Sequence, residues 1–117
     1  MEIINKRIAE MMLANGCENR EACGRRWILV KREETEGGQV DEIHAISTEG
    51  IVGYWVVPAD GKWWDVVEKF GIREQYFCFD PNYLIRLLND SKHYFYAREA
   101  LKLKKEEDER FENNLWR

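Results

Sequence analysis

Between Trp27 and Pro58, three runs of strand-forming residues are separated by two glycine turns, and this pattern constrains the fold more than any other stretch of the chain. Trp27 to Glu33, Val40 to Ser47 and Ile51 to Val57 supply the β-branched and aromatic residues that suit a pleated surface. Gly37-Gly38 separates the first two runs, and both glycines tolerate the positive φ of a tight hairpin. Thr48-Glu49-Gly50 separates the second from the third. Connections this short join strands only as antiparallel neighbours, so the three runs predict a meander. The third run is apolar on both faces, which places it inside the sheet. Pro58 ends it, because proline has no N–H for the ladder.

Helical spacing flanks this core. Ile4, Ile8, Met11 and Met12 share one face of a predicted helix from Glu2 to Ala14, and Asn15-Gly16 stops it. Cys17 to Arg26 is polar and poorly periodic, and reads as a loop. Asp60 is the expected cap of a short helix, Gly61 to Phe70, with Trp63, Val66, Val67 and Phe70 at helical spacing and Gly71 beyond. Ile72 to Phe79 contains a fourth strand, with Tyr76 to Phe79 as its apolar end. Asp80-Pro81 opens another helix, whose buried face is Tyr83, Leu84, Leu87 and Leu88. After Asn89-Asp90-Ser91, a last helix starts near Lys92 with Tyr94, Phe95, Ala97 and Leu101 as its apolar set.

Lys102 to Arg110 is almost wholly charged. Lys104/Asp108, Lys105/Glu109 and Glu106/Arg110 are spaced to support a helix in water. The predicted class is therefore α+β, in the order α-β-β-β-α-β-α-α: an antiparallel meander of three to four strands packed against helices. Residues 1–103 form one domain and 104–117 a charged helical extension. With 117 residues and 44% hydrophobic content, the chain can bury a core without staples. No apolar run approaches the roughly 18 residues of a membrane span. Three cysteines, an odd number, with no export signal, read as free thiols in a cytoplasmic setting.

Charge bears on function. The net charge of −4 argues against a dedicated non-specific nucleic-acid binder. From Glu34 to Lys62 there are six acids against one base. Glu34, Glu36, Asp41, Glu42 and Glu49 then form an acidic surface that attracts a basic protein partner, or are simply solvated turn residues. Arg20, Arg25, Arg26, Lys31 and Arg32 form the opposite concentration. They grip phosphate or a nucleic-acid backbone, or pair with the neighbouring acids.

Adjacent tryptophans Trp63 and Trp64 cannot both face the core of one helix, and Tyr54 and Trp55 must point to opposite sheet faces. Trp64 is accordingly a candidate partner anchor. So are Phe111, Leu115 and Trp116, the apolar residues beyond the charged run, which read as a tip that a partner or a second copy covers. His44 beside Glu42 on one strand face is the only constellation resembling a general base. No phosphate-loop, dinucleotide, nucleophile-elbow or zinc-protease motif is present. Cys17 and Cys23 are spaced too widely for an ordinary zinc pair, and Cys78, His44 or His93 would have to complete a site, so no metal or cofactor is expected.

In size, mild acidity and element order the chain resembles small accessory proteins of phages and mobile elements, including anti-CRISPR inhibitors, although no single motif carries the resemblance. That implies a non-enzymatic inhibitor acting on a host defence or nucleic-acid enzyme, in the host cytoplasm. The alternatives are a nucleic-acid or nucleotide binder using the basic residues, and a small enzyme centred on His44 and Glu42.

Overall fold

The computed structural model describes residues 2–72 and 77–115, with side chains for 4–72 and 77–110. Along the chain come α1 (Glu2–Ala14), β1 (Asn19–Ala22), β2 (Arg25–Glu34), β3 (Val40–Ser47), β4 (Val52–Pro58), α2 (Trp63–Phe70), β5 (Phe77–Cys78), α3 (Pro81–Asn89) and α4 (Tyr94–Leu115). The five strands form one antiparallel sheet in sequence order, so every strand pairs with its chain neighbours. The expected α+β meander is what the chain adopts.

One strand was not anticipated. Within the expected loop, Asn19–Ala22 pairs with Ile28–Arg25 and becomes an edge strand. Cys23 (φ 55°) and Gly24 (φ 71°) make the reversal between β1 and β2, a left-handed pair that a polar sequence does not advertise.

The sheet carries a separate core on each face. Trp27, Ile43, Ala45, Trp55, Val57, Trp63 and Val67 pack on the side covered by α2. Ile28, Val30, Ile46 and Val52 pack on the other side, against Ile4, Ile8 and Met12 of α1, Leu84 and Leu88 of α3, and Ala97 and Ala100 of α4. Burying a face on each side is what the two-sided apolar character of the strands requires.

A bulge in β2 sets the register beyond it. Leu29 pairs with Ala45, but Lys31 pairs with His44, so Val30 is the extra residue. Without it, Arg32 would turn to the opposite face. With it, Arg32 pairs with Ile43 and reaches Asp41.

Two helix starts contrast. Asp80 caps α3 as expected, its carboxylate accepting from Asn82 N at 2.9 Å with Pro81 in the first turn. Asp60 does not cap α2. The chain turns through Gly61, whose N–H donates to Pro58 O, and Lys62 occupies the cap position without a side-chain cap bond.

Of the apolar set of α4, Ala97 is buried, while Tyr94, Phe95 and Leu101 are exposed. Tyr96, Ala97 and Ala100 pack inward, because small residues let α4 approach closely. α4 runs through Leu115, so residues 104–115 continue the same helix. Lys104, Glu107 and Asp108 border a groove shared with Ile4 and the start of α3. The side chains of Phe111 and Leu115, with Trp116 and Tyr76 of the expected fourth strand, lie outside the described residues.

Candidate functional site

The β2–β3 hairpin places acids directly across from acids. Glu33 is paired with Glu42, and Glu34 with Asp41. Like charges in register weaken a ladder, so each needs neutralising or water. Asp41 is neutralised from within: it is 9% exposed, and Arg32 Nε donates to its Oδ2 at 2.6 Å. Arg32 also donates to Pro58 O and Ala59 O, which ties the hairpin to the end of β4. Glu42 accepts from Tyr54 Oη at 2.9 Å, and Lys31 Nζ lies 3.1 Å from Glu33. Glu34 and Glu36 are exposed near the turn. The turn itself is built by Thr35, whose N–H and hydroxyl both donate to Val40 O, and by Gly38 at φ 70°.

The acids read from the sequence therefore separate. Glu34, Glu36 and Glu42 stay together on the hairpin. Asp41 is withdrawn into an ion pair. Glu49 sits in the β3–β4 turn at the opposite end of β3, 3.2 Å from Arg25. Ser47 Oγ organises that turn by accepting from Glu49 N and Ile51 N.

The basic residues are spread along β2 instead of forming one patch. Arg25 and Arg32 stand at its two ends, roughly 23 Å apart at the rise of an extended strand. Arg26 donates to Asn19 Oδ1 at 2.6 Å and lies 3.9 Å from Glu21. Lys31 and Arg32 are engaged with Glu33 and Asp41. Arg20 does something the sequence could not indicate. Its guanidinium sits 4.3 Å over the Trp64 ring, and Lys62 Nζ lies 5.7 Å from the same centroid. Trp64 is half-buried, while its neighbour Trp63 is buried and donates Nε1–H to Glu18 at 2.7 Å. Lys31 and Arg32 also line a shallow groove closed by Asp90, Ser91 and Lys92 of the α3–α4 turn.

His44 lies under its neighbours, its ring 5.0 Å from that of Tyr54 and its Nδ1 buried without a hydrogen-bond partner among the described residues. Burial, then the nearby Lys31 charge, pushes its pKa below the usual histidine value, against the opposing pull of Glu42 and Glu33. Glu42 shares its face, as expected from the alternation, but its carboxylate accepts the Tyr54 hydroxyl.

The cysteines meet different partners. Cys17 Sγ is 4.0 Å from His93 Nδ1 and 3.7 Å from Tyr96 Oη, which also accepts from Asn15 Nδ2. Burial and Lys92 lower the His93 pKa. Cys23 Sγ donates to Val67 O at 2.9 Å at the end of α2, and burial raises its pKa, followed by the Glu68 charge. Cys78 Sγ accepts from Asp80 N. Among the described residues, no three potential ligands gather as a metal site would require. Nor is any described helix long and apolar enough to cross a membrane.

No protein-family model, no curated protein and no solved structure matches this chain.

Proposed function

We infer that the protein is a non-enzymatic interaction protein that occupies the surface of a basic partner, in the manner of the small mobile-element inhibitors it resembles. The observation that carries this reading is the like-charge register of the hairpin, Glu33 opposite Glu42 and Glu34 opposite Asp41. This arrangement costs ladder stability, and a cationic surface would repay it on docking. Glu34, Glu36 and Glu42 supply the attraction, and a basic nucleic-acid-binding protein is the kind of partner that answers it. A contact between two copies through the C-terminal helix belongs to the same reading.

The test is capture from the source cell by the wild-type chain and by a Glu33→Lys/Glu34→Lys/Glu36→Lys variant. The reading expects a basic protein that is retained at low salt, released at high salt and lost to the variant. A partner held equally by both chains would overturn it.

A second reading is favoured by Arg20 and Lys62 over Trp64. Two cations on a half-buried indole suit a single-stranded nucleic acid, whose bases stack and whose phosphates need neutralising. Titration with a short single-stranded oligonucleotide at low salt should then quench tryptophan fluorescence, and Trp64→Phe should remove the response. No quenching at low salt would exclude this reading.

A further inference from the structure

α4 leaves its outer face uncovered. Tyr94 is 56% exposed and Leu101 52%, and seven residues, two helical turns, bring them to the same side. Phe95, also 52% exposed, flanks them. Side chains of this size on one stretch of helix are what a partner buries.

The charges along the same helix say which partner. Arg98, Lys102, Lys104 and Lys105 come first, and Glu106, Glu107, Asp108 and Glu109 follow. Within the chain, Lys102 lies 3.3 Å from Glu99, and Lys104 is 3.4 Å from Asp108. These exposed contacts are weak and exchange readily. A second α4 laid parallel would set base against base and acid against acid. Laid antiparallel, it sets the basic stretch of each copy against the acidic stretch of the other, and the arrangement closes on itself through a two-fold axis.

We propose that the outer face of α4 is the docking surface for a second copy of this chain, with the two α4 helices antiparallel and crossing between Lys105 and Glu106. This rests on the reading of the chain as an interaction protein and names one partner of it. The crossing brings Lys102 of one copy level with Glu109 of the other, and Lys105 level with Glu106. The hairpin and Trp64 remain available for a different partner.

Sedimentation equilibrium of the full chain at about 100 μM, above the micromolar range of an ordinary weak dimer, tests the pairing. Wild type is expected to sediment as a dimer. Lys102→Glu/Lys105→Glu and Glu106→Lys/Glu109→Lys should each self-associate at least about tenfold more weakly, while an equimolar mixture of the two regains a dimer. Tyr94→Ser/Leu101→Ser should weaken pairing to a similar degree with unchanged circular dichroism, because neither side chain is buried in the single chain. A monomeric wild type, or charge variants that dimerise as well alone as mixed, would overturn the proposal. The hairpin reversals should leave the dimer intact, so loss of the dimer and loss of the basic partner are separable results.

Discussion

The two faces of the sheet solve one problem with opposite materials. On one face a single eight-residue helix, α2, is the whole helical cover among the described residues. The residues beneath it are correspondingly large: Trp27, Trp55 and Trp63, with Trp27 and Trp55 in edge contact at 5.0 Å. On the other face three helices crowd together, and the side chains between them shrink to Ala9, Ala97 and Ala100 among isoleucines and leucines. A short cover needs bulk, whereas a thick cover needs small residues that let helix axes approach. The indole face also carries polar obligations. Trp55 donates to Gly71 O at 2.9 Å, and Trp63 donates to Glu18. Trp27 Nε1 is buried without a partner among the described residues.

If the indole face hangs on few large anchors, removing one should cost more there than on the aliphatic face. Trp63→Ala is expected to lose about 3–5 kcal/mol, and Leu88→Ala about 2–4 kcal/mol, by urea denaturation. The reverse order would break the comparison. Gly53→Ala sharpens it. The Trp55 ring lies over Gly53 so closely that an added Cβ would overlap it. The ring must move off Trp27, for a loss of about 1–3 kcal/mol and a changed near-ultraviolet dichroism.

On the helical face, Asn5 is buried and donates to both Gly50 O and Phe79 O. Asn5→Ala leaves two carbonyls without that donor and should cost about 1–3 kcal/mol. The smallest effect is a pH dependence. His44 and His93 both have pKa values lowered in the folded chain, so the unfolded chain binds more protons as the pH falls through the ordinary histidine range. Stability is therefore lost as the pH falls through about 6.5, the ordinary histidine value, and below it, and His44→Phe should reduce the drop in melting temperature.

Where local chemistry decides an element, the sequence announced it. The periodicity of α1, the alternation of β3 and the Asp80-Pro81 start of α3 are each visible in a few adjacent residues. β1 is not visible, because Asn-Arg-Glu-Ala has no strand character and becomes a strand only by pairing with β2. The inward face of α4 is hidden for a related reason. Tyr94, Phe95 and Leu101 are the more apolar residues, but close packing against α3 selects the alanines.

The candidate sites follow the same division. That Arg32 would answer an acid across the turn was legible, since the two lie nine residues apart on one hairpin. The Arg20–Trp64 stack and the Cys17–His93 approach join residues more than forty positions apart, which no local spacing encodes.

The Asn5 tie has a consequence for the order in which the molecule is completed. α1 is made before the sheet it packs on, and its amide cannot make both of its native bonds until Phe79 has been synthesised. While residues 15–79 are being added, this helix carries an apolar stripe with nothing of its own to dock on and leaves its amide to water. It is thus a latecomer to the native state, and the nascent chain has to keep it from finding other company in the interval.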